Sequence, residues 1–201
     1  MIPKKLKKIY ESNNSTIYRG KYHGFDNEVV IKVLNTEYPS EKQITQFNNE
    51  YKFTHNLKIS GIRKALKKDK IDGKNILILE YFEGETLTEF IEQNSFNTKL
   101  FLQIAENITQ SLIEIHKQNI IHKDLNPHNI LINKESEITI IDFGLASKYS
   151  LKIQNLGNPK NLEGTLAYIS PEQTGRMNRT LDYRTDFYSL GVTFYEMLTG
   201  K

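Results

Sequence analysis

The sequence predicts an α+β fold in two unequal lobes, a small β-rich lobe over residues 1–82 and a helical lobe over 83–201. Two observations carry this. Short strand-like runs separated by turn residues dominate up to about residue 82, and stretches with apolar residues at helical spacing dominate after it. The composition, 38% apolar and 25% charged in 201 residues, is ordinary for a globular chain long enough to bury a core.

In order along the chain, "TIYRGKY" and "NEVVIKVL" read as strands, with "HGFD" as the turn between them. "SEKQITQFNNEYKFTHNL" places Ile44, Phe47, Tyr51 and Leu57 near helical spacing, and Ser40 is its expected N-cap. "NILILEYF" reads as a short buried strand, and "EGETLTEFIEQN" as a turn and a short helix. The strongest helix is "TKLFLQIAENITQSLIEIHKQN", whose Phe101, Ile104, Ile108, Leu112 and Ile115 form one stripe. Two short strands, "ILIN" and "EITIID", precede a polar loop running to about residue 170. "RTDFYSLGVTFYEMLTG" reads as a helix with little polar face, which predicts deep burial. Such a helix needs neighbours on every side, so the expectation is a fragment whose helical lobe is cut off after its central buried helix.

The formal charge of +3 is slight and much of it lies in "KKLKK", which reads as a solvated end rather than a nucleic-acid or membrane patch. The absence of cysteine excludes disulfides and thiolate metal sites. No apolar run approaches the roughly 20 residues of a membrane span, and no signal-peptide core follows the basic start. A cytoplasmic location is the expectation.

Four pieces of sequence then stand out together. Lys32 ends the strand "VVIK", and Glu50 sits among apolar residues on the next helix. "HKDLNPHN" sets Asp124 and Asn129 five residues apart, and "IDFG" puts Asp142 after a strand with Gly144 allowing a sharp turn. Each alone is bland: a strand lysine and a helix glutamate are usually solvated surface. His122 and His128 beside Asp124 also raise the alternative of a zinc site.

In this order and spacing the four pieces resemble the protein-kinase signature. "GTLAYISPE" (164–172) is similar to the end of that family's activation segment, and "DFYSLGV", from Asp186, to the start of the helix supporting its catalytic loop. The resemblance implies a two-lobed kinase fold and ATP- and Mg2+-dependent phosphorylation of serine or threonine hydroxyls. Lys32 would hold the α- and β-phosphates with Glu50 fixing its ammonium. Asp142 and the Asn129 amide oxygen would offer hard oxygen ligands to magnesium. Asp124 would accept the substrate proton, and Pro127 would stiffen the loop. His122 takes the position that packs beneath D-F-G, and His128 a variable one. For the adenine, Ile17 and Val30 would lie above the ring and Leu131 below, with backbone groups of Glu80 and Phe82 at its edge and Leu79 as gatekeeper.

The chain departs from the family at three places. The glycine positions of the phosphate loop hold Tyr10, Ser12 and Ser15, and the serine hydroxyls would stand in for part of the backbone contact. Asn126 replaces the lysine that neutralises the γ-phosphate, and Lys123 replaces the arginine that clamps a loop phosphate. Asn161 and Glu163 precede Gly164 where a phosphorylatable hydroxyl is common, so loop phosphorylation is not the expected control. "IHKDLNPHNIL", "IIDFGLAS" and "QTGRMNR" resemble the amino-terminal kinase domain of large bacterial hybrid signalling proteins, with attached ATPase-like and histidine-kinase modules. Two alternatives stay open: a nucleotide-binding pseudokinase regulating attached domains, and a small-molecule kinase.

Overall fold

The computed structural model describes residues 6–149, 164–175 and 181–201. The chain divides into two compact units, Met1–Leu57 with Arg63–Phe82, and Lys58–Ile62 with Glu83–Lys201.

The first unit is built on five antiparallel strands, β1 (Lys7–Glu11), β2 (Ser15–Lys21), β3 (Glu28–Leu34), β4 (Ala65–Ile71) and β5 (Lys74–Glu80), in the order β1-β2-β3-β5-β4. The alternation of β3 and β5 sends Val30, Leu34, Leu77 and Leu79 to one face and Val29, Ile31, Val33, Ile76 and Ile78 to the other. Helix α1 (Glu41–Thr54) covers the first face with Phe47. Ser40 caps it in a full capping box with Gln43, as its residue type demands. The buried side of α1 is Phe47, Glu50, Phe53 and Thr54, whereas Ile44 from the predicted stripe is 40% exposed.

Strands β1 and β4 escape a reading by hydrophobic pattern. All five residues of β1 are exposed, and β4 carries Lys67, Lys68, Asp69 and Lys70 in succession. Both are sheet edges, where charge blocks further strand pairing.

The second unit begins with β6 (Glu85–Thr86), α2 (Leu87–Gln93) and α3 (Thr98–Lys117). Then come β7 (Ile120–Ile121), β8 (Ile130–Ile132), β9 (Ile138–Ile140), β10 (Ser147–Lys148) and α4 (Arg184–Thr199). β6, β8 and β9 form one small sheet and β7 pairs with β10 in another. The α3 stripe is buried at Ile104, Ile108, Leu112 and Ile115 and packs on β7 and β9.

Two findings differ from the sequence reading. Residues 58–62 belong with the second unit although they precede residue 82, because Ile140 donates its N–H to the Gly61 carbonyl at 2.8 Å and Ile62 bridges Ile140. Helix α4 is not buried all round. Its hidden side is mostly polar, with Thr185, Asp186, Ser189 and Thr193 beside Leu190 and Met197, while Phe187, Tyr188, Tyr195 and Leu198 are 45–59% exposed. The hydroxyls there find acceptors, Ser189 on Tyr168 O at 2.8 Å, Thr193 on Ser189 O at 3.0 Å and Thr185 on the Glu172 carboxylate. No described helix is long and apolar enough to cross a membrane.

Gly61 has φ +79, and a Cβ there would lie 2.0 Å from Ser111 Oγ and 3.0 Å from its Cβ. Gly61→Ala is therefore expected to lose about 1–3 kcal/mol in a denaturant titration, from left-handed strain and the clash together.

Candidate active site

The sequence-predicted residues fall into two sets, one on each unit. In the first unit Lys32 shares the β3 face of Val30 and Leu34, the face that α1 covers. Glu50 lies one helical turn beyond Phe47 on the same side of α1, so the two meet: Lys32 Nζ donates to Glu50 Oε2 at 2.6 Å. Glu50 is 2% exposed, and a second cation, the Arg63 guanidinium, stands 3.8 Å from its Oε1. A carboxylate this deep is held by its cations, and removing either partner of such a pair costs about 3–5 kcal/mol.

Most of the residues that the resemblance assigns to the nucleotide belong to the same unit as this pair. Val30 and Leu79 are buried opposite each other in the β3–β5 register, and Ile17 lies opposite Lys32 in the β2–β3 register. Glu80 closes β5 with its N–H donated to the Lys64 carbonyl at 2.9 Å, and Phe82 ends the first unit. Ser12 sits in the β1–β2 turn with its hydroxyl bonded inside that turn, and Ser15 is buried at the start of β2. Tyr10 is 62% exposed.

In the second unit the loop 122–129 is a knot of hydrogen bonds. Asp124 Oδ1 accepts from Thr165 N–H at 2.9 Å, from Thr165 Oγ1 at 3.0 Å and from Asn126 Nδ2 at 3.2 Å. Its Oδ2 accepts Asn129 Nδ2 at 3.0 Å, and among the described residues that is the single donor to this oxygen. Oδ2 thus keeps a lone pair for an incoming hydroxyl. Asn129 spends its NH2 on Asp124, on the carbonyl at 2.8 Å and on Oδ2, so its amide oxygen is the atom left to ligate a cation. The Asn129 carbonyl also accepts Ile141 N–H at 2.9 Å, which ties this loop to the residue before Asp142.

Asn126 is fully buried and does two jobs. Its Oδ1 accepts His128 N–H at 3.0 Å, capping the short turn Pro127–Asn129, while its Nδ2 bridges Asp124 and Thr165 Oγ1 at 3.2 Å. At the position where the resemblance places a lysine, a neutral amide therefore ties Asp124 to Thr165. Leu131 follows in β8, paired with Thr139.

The loop is aimed from behind by α4. Asp186, fully buried in the first turn of α4, accepts His122 N–H at 2.9 Å, Lys123 N–H at 2.8 Å and His116 Nε2 at 2.8 Å. Lys123 has φ 69 and Asp142 has φ 60, left-handed conformations that cost on the order of 1–3 kcal/mol at a non-glycine residue. The neighbouring bonds hold both in place. His122 Nδ1 accepts Asp124 N–H at 3.3 Å, which puts the ring proton on Nε2, and that atom donates to Ile141 O at 3.1 Å. The same ring meets Phe143 edge-on with centroids 4.7 Å apart, beneath the D-F-G turn as the resemblance implied. Asp142 Oδ1 accepts Gly144 N–H at 3.2 Å. His128, by contrast, is exposed and bonded to Thr88 Oγ1 at 3.2 Å.

Gly164, φ +111, lets the segment that follows approach: a Cβ would stand 3.4 Å from Asp124 Oδ1. Gln173 Nε2 donates to the Lys123 carbonyl at 2.8 Å, and Glu172 accepts Thr185 Oγ1 at 2.9 Å. Tyr168 donates to Glu196, and burial together with that carboxylate pushes the phenol well above its ordinary range. Ser147 Oγ is buried with no hydrogen-bond partner among the described residues. Asn161, Glu163 and most of "QTGRMNR" lie outside the described residues.

His116, Gln173 and the double role of Asn126 were not visible in the sequence. Each is a polar residue in a place where solvent is the default partner. For His116 the signal that could have found it is negative: a polar side chain beside an apolar run needs a bonded partner.

These features define a kinase-type catalytic loop, and comparison with known proteins agrees. The protein kinase domain matches residues 4–201, and the chain belongs to that family. It is 32% identical to a probable serine/threonine-protein kinase of Clostridium perfringens over 197 residues, 97% of this chain and 28% of that protein. It is 31% identical over 198 residues to the serine/threonine-protein kinase PrkC of Bacillus subtilis, covering 98% of this chain and 30% of PrkC. With the serine/threonine-protein kinase PknL of Mycobacterium tuberculosis it shares 32% identity over 196 residues, 96% of this chain and 48% of that one. The chain spans less than half the length of these curated relatives.

Asn126→Ala removes the cap and the bridge to Asp124 and Thr165 at once. The expected loss is about 1–3 kcal/mol in a thermal melt.

Proposed function

We propose that this domain transfers the γ-phosphoryl group of ATP to serine or threonine hydroxyls of a protein. The observation that carries it is Asp124, whose Oδ1 is saturated by donors while Oδ2 keeps acceptor capacity. The substrate hydroxyl oxygen would bond to the γ-phosphorus as the bond to the β-phosphate oxygen breaks and ADP leaves. The hydroxyl proton would pass to Asp124 Oδ2. Lys32, oriented by Glu50, would neutralise the α- and β-phosphates; Ile17, Val30 and Leu131 would sandwich the base, and Glu80 and Phe82 would bond its edge. Asn129 and Asp142 are the groups that fit Mg2+. Both are hard oxygen donors, and Asn129 has its nitrogen committed elsewhere. The bound cation would supply charge neutralisation at the transferring phosphate. The names of the relatives support a protein rather than a small-molecule acceptor.

We further propose that the domain works inside a larger bacterial signalling protein with attached ATPase-like and histidine-kinase modules, in the cytoplasm. The support is the likeness of "IHKDLNPHNIL", "IIDFGLAS" and "QTGRMNR" to such proteins. A pseudokinase is the second reading, favoured by the glycine-free turn and by Asn126 in place of lysine.

Asp124→Asn separates the readings. The expected result is a fall in kcat of roughly 10²–10⁴-fold with ATP affinity nearly unchanged, since the base acts on the transferred proton. Near-normal turnover by this variant would remove Asp124 from the chemistry. Magnesium-dependent ATP binding without phosphoryl transfer by the unmodified protein would favour the pseudokinase.

A further inference from the structure

The turn between β1 and β2 lacks glycine, and in its place it has a dense set of internal bonds. Ser12 N–H donates to the Ser15 carbonyl at 2.9 Å, and Ser12 Oγ accepts the N–H groups of Asn14 at 3.3 Å and Ser15 at 3.1 Å. Asn35, just past the end of β3, grips the turn from one side. Its N–H donates to the Asn14 carbonyl at 3.0 Å and its Nδ2 to the Ser12 carbonyl at 2.8 Å, while its Oδ1 accepts Thr16 Oγ1 at 2.6 Å. Gln43 grips it from the other. Its Nε2 donates to Asn14 Oδ1 at 3.1 Å while its Oε1 accepts Ser40 N–H at 2.9 Å in the cap of α1. The helix so capped is the one that carries Glu50 to Lys32.

We propose that Asn35 and Gln43 are positioning residues for the nucleotide. They hold the glycine-free β1–β2 turn as a preformed edge for its phosphates, Asn35 by tying the turn to β3 and Gln43 by tying it to the N-terminus of the Glu50 helix. The proposal rests on the kinase reading. A glycine loop must be ordered when the nucleotide binds, whereas a turn fixed in advance spares that entropy. The Gln43 link adds coupling, because a ligand that steadies the turn also steadies the start of α1, and the effect runs equally in reverse. A serine-rich turn free of these bonds would offer the phosphates neither glycine's close approach nor a fixed shape.

The test uses the full-length protein carrying Asn35→Ala or Gln43→Glu. Gln43→Glu keeps the capping acceptor and replaces the donor to Asn14 by a carboxylate oxygen, so the helix stays capped while the link to the turn is lost. In the nucleotide-free protein, amide exchange over residues 12–16 is expected to quicken about tenfold in Asn35→Ala and by a smaller factor in Gln43→Glu. The KM for ATP is expected to rise by a similar factor, about tenfold and about threefold, with kcat at saturating ATP within roughly twofold. Unchanged exchange in both variants, or a fall in kcat at constant KM, would overturn the proposal. An unmodified protein without ATP affinity would sink the kinase reading and the nucleotide role with it, and the exchange rates would still decide whether the two residues fix the turn.

Discussion

The catalytic loop depends on one buried carboxylate. Asp186 has no exposed surface, and its oxygens take the N–H groups of two successive residues, His122 and Lys123, together with the His116 ring. Successive backbone donors converge on one acceptor group only when the chain between them is sharply bent, and here Lys123 is the bend, at φ 69. The strain of that residue is offset by charge-assisted hydrogen bonds, each worth about 1.5–3 kcal/mol. The position of Asp186 in the first turn of α4 adds the favourable field of a helix N-terminus. From the bend outward, the His122 ring ties the Asp124 backbone to Ile141, and the Asn129 carbonyl ties to Ile141 as well. Asp124, Asn129 and the turn that follows Asp142 are therefore oriented by a single anchored backbone kink.

The substitutions at Asn126 and in the β1–β2 turn share a physical logic. In each, a residue that would act on phosphate by charge or by close backbone approach is replaced by an amide or hydroxyl that bonds its own protein. Asn126 exchanges a cation for a bridge between Asp124 and Thr165. Ser12, with Asn35, exchanges glycine's adaptability for a closed hydrogen-bond network. On the proposed reading, both changes would shift the balance from electrostatic stabilisation toward preorganisation.

Much of the site was legible in the sequence because its chemistry restricts residue type. The resemblance pairs a strand lysine with a helix glutamate, and Lys32 and Glu50 stand 2.6 Å apart. The strong helix over 98–117 was legible for the opposite reason, since packing imposes a 3.6-residue period whatever the function. Strands β1 and β4 were not, because edge strands bury little and carry charge that resembles a loop. The assignment of residues 58–62 to the second unit was hidden too, as it rests on long-range links of Gly61 and Ile62 to Ile140. Helix α4 misled most directly. Its apolar composition suggested burial on all sides, while its buried face is mostly Asp186 and a row of hydroxyls beside Leu190 and Met197. Composition reports how apolar a helix is, and only the partners reveal which side must be polar.

The most direct test of the account is amide hydrogen exchange at His122 and Lys123 in the full-length protein carrying Asp186→Asn. That change keeps the side-chain volume and one acceptor oxygen while removing the charge and turning an NH2 toward a backbone donor. The account predicts that protection at these two amides falls by roughly ten- to a hundredfold, while β5 amides such as Ile78 keep theirs and phosphoryl transfer drops. Protection at His122 and Lys123 equal to that of the unmodified protein would contradict it.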